Sequence, residues 1–260
     1  MPRISALTWD RTPAINLSKK RKRVAVCIAG QGRHIEKGHN VIQDLQKQNP
    51  NIEFDVFLQL WHDPESDSLT TGKGEEYKVP KDLPRQLELL YKPISFIIDK
   101  PIDKITYNHC ELSHPKYHFA IESMNFARQR VIESVIASKK KYDLVIMTRY
   151  DFGLRVSLDL SSLDPEYLYF SACCRKNKNH MPPPDNMSIM NVENCRKVYN
   201  INSQIESFCS DEIIKQEVRH LVKKSHLKRG HEVLLLASIV KNGLVEKVRF
   251  LDGIPNFRSW

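Results

Sequence analysis

The apolar run VAVCIAG at 24–30 is short, rich in β-branched residues and closed by Gly30. Such a run suits a strand buried on both faces. From 35 to 48 the apolar positions Ile35, Val41, Ile42 and Leu45 are set among polar residues, which predicts an amphipathic helix. Further strands are expected at FDVFLQLW (54–61), ISFIID (94–99), DLVIMT (143–148), YLYFSA (167–172), MSIMN (187–191) and KVRFL (247–251). A long helix is expected over 117–138, where Ala120, Met124, Ala127, Val131 and Val135 repeat at spacings of four, three, four and four. The last helix, HEVLLLASIVKN at 231–242, stops at Gly243, a residue suited to the position after a helix end. Between 64 and 86, two glycines and three prolines in a polar stretch predict a long surface segment. Strands alternating with helices give an α/β chain with a mainly parallel central sheet covered on both faces. The chain beyond 155 is expected to be less regular.

The 260 residues are enough to bury a core, and 41% hydrophobic with 27% charged residues is ordinary for a globular protein. No stretch of about 18 uncharged apolar residues suggests a membrane span. Residues 1–22 carry mixed charge and no periodicity, so they read as an extension outside the core without the apolar centre of a signal peptide. The six cysteines (27, 110, 173, 174, 195 and 209) form no CxxC pair, and a chain of this length needs no staple. They are therefore expected to be reduced thiols in a cytoplasmic protein. The formal charge of +9 favours anionic partners. Part of it lies in the runs at 19–23, 139–141 and 219–229, each of which also reads as plain solvated surface. The ten histidines include no HExxH or similar spacing, so a zinc site is not expected.

In an open α/β sheet, ligands bind beyond the carboxyl ends of the strands. After the first strand come Gly30, Gln31, Gly32 and Arg33; after the second, Trp61, His62 and Asp63; after the strand ending at 148, Arg149, Tyr150 and Asp151. GQGR fits neither GxGxxG nor GxxxxGK[ST], so the dinucleotide and P-loop readings fail on spacing. Its glycines still permit close backbone approach, and Arg33 could pair with a diphosphate. A tight turn with an exposed arginine explains it as well. Arg149 and Asp151 could serve a phosphorylated, metal-bridged ligand, or simply pair with each other. Trp61 could stack on a sugar or base, or lie in the core.

Taken together, RVAVCIAGQGR, DVFLQLWHD and YDLVIMTRYD resemble the strand ends of nucleotide-sugar glycosyltransferases found in polysaccharide gene sets and in large DNA viruses of algae. PDNMSIMNVENCRKVY (184–199) and HEVLLLASIVKNGLVEKV (231–248) resemble later segments of the same group. The resemblance implies a single GT-A-like, Rossmann-like domain over 23–260, with a nucleotide-sugar part (23–155) and an acceptor part (156–260). It implies donor contacts from Ala29, Gly30, Gln31, Arg33, Trp61, Asp63, Arg149 and Asp151. It also implies Mn²⁺ or Mg²⁺ at Asp151, although the family's Asp-x-Asp is here Arg149-Tyr150-Asp151, with one aspartate. The implied donor is a uridine diphosphate sugar, a pentose such as xylose among them. The implied acceptor is a glycan or glycoprotein, and the location a cytoplasm, that of a host if the chain is viral.

Glycosyl transfer with inversion needs a group that takes the acceptor hydroxyl's proton. Glu232, opening the last helix beside His231, is the first candidate, and Asp185 the second, as base or as hydrogen-bonding group for the acceptor. A first-turn glutamate also favours the helix dipole, and Asp185 could merely cap a loop. Two rival readings stand beside the enzyme. One is a basic nucleic-acid-binding protein, against which no RNA- or DNA-binding signature is present. The other is a carbohydrate-binding or scaffold protein of the same fold without the chemistry.

Overall fold

The computed structural model describes residues 21–66, 68–70, 76–103, 110–113, 118–152, 158–171, 183–222 and 230–251. The first apolar run forms β1 (Arg23–Gly30), in which Val24 through Ala29 are all buried. It pairs in parallel with β2 (Glu53–Trp61) on one side and with β6 (Leu144–Thr148) on the other. Beyond β2 lies β5 (Ser95–Asp99), also parallel. On the far side of β6, β8 (Ser188–Met190) runs antiparallel and is followed by β7 (Leu168–Ser171) and β9 (Val248–Leu251). The seven-stranded order is β5-β2-β1-β6-β8-β7-β9, so strands from both sides of residue 155 share one sheet. A mainly parallel sheet flanked by helices is therefore the fold.

The strand order reverses between β1 and β6. From β1 the chain proceeds to β2 and β5 on one side, and the next large strand, β6, is laid on the other. Because β8 is antiparallel, its beginning lies at the same edge as the ends of β1 and β6, with Ser188 opposite Met147.

The connecting helices follow from the pattern. The helix α1 (Ile35–Gln48) buries Ile35, Val41, Ile42 and Leu45, as its spacing predicts. Its close seating depends on Gly38, where an added Cβ would lie 2.4 Å from the Tyr150 carbonyl oxygen. The long helix α3 (His118–Ala137) packs on β1 and β2. Ala127, Val131 and Val135 are buried as expected, but over 118–128 the buried residues also include His118, Glu122, Asn125 and Arg128, while Ala120 and Met124 are only half-buried. Because α3 links β5 to β6, two parallel strands with β2 and β1 between them, its first half returns from the carboxyl edge of the sheet. That is where its buried side chains turn polar.

Two other expectations change. The segment 64–86 contains a small hairpin, β3 (Ser68–Thr70) with β4 (Glu76–Lys78), and the start of α2 (Leu83–Tyr91). Pro84 sits in the first turn of α2, where its missing N–H costs nothing. The chain after 155 is largely helical: α4 (Val192–Tyr199), α5 (Ile205–Ser210), α6 (Glu212–Val222) and α7 (His231–Lys241). Gly243 follows α7 with φ +65°, the left-handed position its place suggested.

The cysteine expectation is also corrected. Cys110 and Cys209 form a disulfide that closes a span of 99 residues, while Cys27 and Cys195 are buried free thiols. The two partners are far apart in sequence, so spacing gave no hint of the pair. Such a bond persists in oxidising compartments, which is at odds with the cytoplasmic expectation. Cys173, Cys174, residues 1–20 and most of the run 219–229 lie outside the described residues.

Candidate functional site

At the end of β1, Gly30 has φ +115°, a conformation that penalises any side chain, and the space a Cβ would fill is open. Its N–H donates to Oε1 of Gln59, a fully buried side chain that also donates to Asp99. At Gly32 a Cβ would press on the ends of the Leu83 and Leu60 side chains at about 3 Å, so both would have to shift. Gln31 Nε2 donates to the Thr70 carbonyl, and Arg33 N–H closes a tight turn onto Gln31 O. The turn sends Arg33 across the strand-order reversal toward the end of β6.

There Tyr150 points inward and is wholly buried, its hydroxyl donating to Gln59 O at 3.0 Å. Its two neighbours therefore point outward. Arg149 donates to both carboxylate oxygens of Asp151, Nε to Oδ1 at 2.9 Å and Nη2 to Oδ2 at 2.8 Å. Arg33 Nη2 reaches the same Oδ2 at 3.4 Å. Burial raises the proton affinity of Asp151, but the Arg149 hydrogen bonds and the charges of Arg149 and Arg33 outweigh it, so its pKa is lowered. Asp151 is an anion between two cations, leaving a net charge of one positive on a half-open surface.

A second cluster lies beside the first. Arg128 of α3 is almost completely buried, its guanidinium over the ring of Tyr199 and its Nη2 donating to the Asp185 carbonyl. The Asp185 carboxylate lies 3.7 Å from Arg128 Nη2 and 3.6 Å from His231 Nδ1. His231 Nε2 is 3.1 Å from Arg128 Nη1 and 2.8 Å from Asn125 Oδ1. Burial first, and then the Arg128 charge, push the His231 pKa down to about 3, so the ring is neutral. Its Nε2 thus lies between Arg128, which can only donate, and Asn125 Oδ1, which can only accept, while Nδ1 has no hydrogen bond among the described residues. Asn125 Nδ2 has no hydrogen-bond partner among the described residues. Burial raises the proton affinity of Asp185, yet its interaction with His231 and the positive charges of Arg128 and Arg149 bring its pKa below the ordinary value. Arg149 acts electrostatically on both Asp185 and His231, which ties the two clusters into one edge.

Glu232 follows His231 in the first turn of α7 and is half-buried, its Oε2 lying 3.5 Å from where a Gly230 Cβ would be. Gly230, at φ +151°, starts α7, and its N–H donates to the Leu112 carbonyl. Leu112 lies two residues past the disulfide at Cys110, so the disulfide helps fix the helix that carries His231 and Glu232.

The structure brings Gly30, Gln31, Arg33, Arg149, Asp151, Asp185 and Glu232 to one edge. It places others elsewhere. Ala29 is buried within β1, and Trp61 is packed in the core with its ring stacked on Phe126 at 5.5 Å. Asp63 accepts from Glu65 N–H and pairs with Lys100 at 3.5 Å, a turn-stabilising role beside β2. Asn125, Arg128 and His231 were not among the expected site residues. The signal was present in part, since Asn125 and Arg128 stand three apart on the face of α3 that also buries Ile121 and Ile132. Among the described residues no three His, Cys, Asp or Glu side chains gather where they could hold a metal ion. No helix among them is long and apolar enough to cross a membrane. Of the basic run at 139–141, Lys140 pairs with Asp55 at 3.1 Å, at the edge of the sheet away from this site.

No family model matches the chain, and no curated protein does either. Solved structures similar to it include three glycosyltransferases. The glycosyltransferase GlyE of Streptococcus pneumoniae TIGR4 is 16% identical at a TM-score of 0.37, over 90% of this chain and 46% of GlyE. The galactosyltransferase LgtC, solved with donor and acceptor sugar analogues, is 13% identical at 0.41, over 88% of this chain and 72% of LgtC. Mouse xyloside xylosyltransferase 1 is 10% identical at 0.43, over 89% of this chain and 85% of the mouse protein. This chain thus spans less than half of GlyE. What it does is best read from the chemistry at the strand ends.

Proposed function

We propose that the chain is a glycosyltransferase that moves a sugar from a nucleoside diphosphate sugar of the uridine series to a hydroxyl of a glycan or glycoprotein acceptor. The observation that carries this reading is the position of Arg33 and Arg149. They stand at the ends of β1 and β6, on either side of the strand-order reversal where open α/β sheets bind ligands. Two guanidinium groups there suit a departing diphosphate, whose negative charge grows as the glycosidic bond breaks.

In the proposed step the acceptor oxygen bonds to the anomeric carbon while the bond from that carbon to the diphosphate oxygen breaks. The electron pair of the broken bond leaves with the nucleoside diphosphate, and the hydroxyl proton passes to a carboxylate. The configuration at the anomeric carbon inverts. Asp185 is a poor proton acceptor, because the cations around it lower its pKa. Its carboxylate is suited instead to accept a hydrogen bond from an acceptor hydroxyl. Glu232, on the neighbouring helix start, is assigned the proton. A pentose such as xylose is the first sugar to try.

Thermal unfolding of the full chain with uridine, guanosine and thymidine diphosphate sugars tests the reading. One donor at a hundred times its dissociation constant stabilises the fold by about 2.7 kcal/mol. Glu232→Gln is expected to keep that shift and lose about a hundredfold or more in nucleoside diphosphate release with acceptor. No shift with any donor overturns the reading. A shift without turnover on any glycan leaves a carbohydrate-binding scaffold in its place.

A further inference from the structure

The family resemblance implies a divalent cation at Asp151, and the residues present do not fit one. Both Asp151 oxygens are taken by Arg149, and Oδ2 is shared with Arg33. A cation there would have to displace these charge-assisted hydrogen bonds and then sit against two fixed guanidinium charges. The position that holds the first aspartate of Asp-x-Asp is Arg149 itself, so the chain carries a positive charge where a second metal ligand would stand. We infer that Asp151 is the anchor that holds Arg33 and Arg149 side by side, and that this arginine pair binds the donor diphosphate without a divalent cation. The inference rests on the transferase reading above and deepens it.

Three further features support the assignment. Arg33 Nε is buried with no hydrogen-bond partner among the described residues, so the side chain has an unused donor at the site. The open space above Gly30 lets a phosphate approach the backbone beside it. The shared carboxylate fixes the Arg149 plane through two hydrogen bonds and holds Arg33 beside it through a third, so a planar fork is in place for phosphate oxygens before a ligand arrives. In this arrangement Asp151 acts through the arginines and is a positioning residue. The arginines meet the charge that the diphosphate acquires with the electron pair of the broken bond.

Calorimetric titration of the full chain with uridine diphosphate tests the inference, once in excess EDTA and once with Mn²⁺ after exhaustive dialysis. The expected result is a dissociation constant that agrees within about threefold between the two conditions and weakens by about tenfold or more in Arg33→Ala and in Arg149→Ala. Asp151→Asn is expected to raise the dissociation constant several-fold while leaving it equally indifferent to Mn²⁺. Arg33→Lys keeps the charge without the fork and should recover only part of the loss, with circular dichroism confirming the fold of each variant. Binding that needs Mn²⁺, vanishes in EDTA and loses its metal response in Asp151→Asn overturns the inference and leaves the transferase reading standing. No binding of uridine, guanosine or thymidine diphosphate to the folded chain, with or without Mn²⁺, overturns both.

Discussion

Two arginine–aspartate clusters share one edge of the sheet, and they differ in what surrounds them. Around Asp151 the arginines come from loops that follow strands, and their side chains remain about a third exposed, 28% for Arg33 and 36% for Arg149. Around Asp185 the arginine comes from the middle of a helix and is 2% exposed, with a neutral histidine and an amide closing the shell. The first cluster keeps water and space on one side, as a ligand site must. The second has exchanged most of its water for protein partners, and the Asp185 carboxylate, 14% exposed, still reaches the surface. A cation in the open cluster can serve a ligand at little cost to the fold, whereas a cation in the closed cluster belongs to the fold first.

The largest test of this contrast removes one arginine from each. Arg128→Ala leaves the buried Asp185 without its cation and is expected to cost about 3–5 kcal/mol in urea unfolding. Arg149→Ala breaks a half-exposed pair and should cost about 1 kcal/mol or less, after allowance for solvent screening. Equal losses would erase the distinction between the clusters.

Next in size is the disulfide, which supports the closed cluster through Leu112 and Gly230. Reduction, or the paired change Cys110→Ser and Cys209→Ser, is expected to remove about 2–4 kcal/mol of stability. It should disturb the His231 environment, followed by imidazole NMR, more than uridine diphosphate binding. The reverse order of effects would place the disulfide's influence in the open cluster.

A pH titration of stability sharpens the comparison further. His231 has its pKa lowered to about 3 in the folded chain, against about 6.5 unfolded. Below 6.5 the unfolded chain takes up a proton that the folded chain refuses, so stability falls as the pH is lowered toward 3. Between pH 6.5 and 5 the loss from this group is about 2 kcal/mol. His231→Asn should flatten that slope, as the difference between the two chains' unfolding curves. Asp151 and Asp185, both lowered, add acid lability only below about 4, where unfolded carboxylates begin to protonate. A slope unchanged in His231→Asn would mean that the ring is not buried neutral.

Much of the fold was readable from residue order, because a strand buried on both faces needs an unbroken apolar run and the runs at 24–30 and 143–148 supply it. That Arg149 and Asp151 pair at the sheet edge was open to reading too, since two charges ending an apolar strand must be solvated or paired. The helix over 117–138 was legible in extent but not in content. Its apolar spacing extended through Ala120 and Met124, yet in that half the structure buries Glu122, Asn125 and Arg128. Spacing records which residues share a face and says nothing of what that face meets. Here the part of α3 up to Arg128 meets His231 of α7 and Asp185 ahead of β8, and the rest meets the apolar sheet.

The sequence by itself determined the strands, the order in which they are made, and which charged residues end them, because these depend on neighbours within a few positions. Only the tertiary structure decided that Arg33 and Arg149 meet on one carboxylate, that Arg128 and His231 enclose Asp185, and that Cys110 bonds Cys209. Those contacts join segments far apart in the chain, 57 positions for Arg128 and Asp185 and 118 for Arg33 and Asp151, and the reversal of strand order between β1 and β6 is what brings the strand ends together. The energy of a charge also depends on how much water remains around it, and that is settled when distant segments close over one side chain and leave another open.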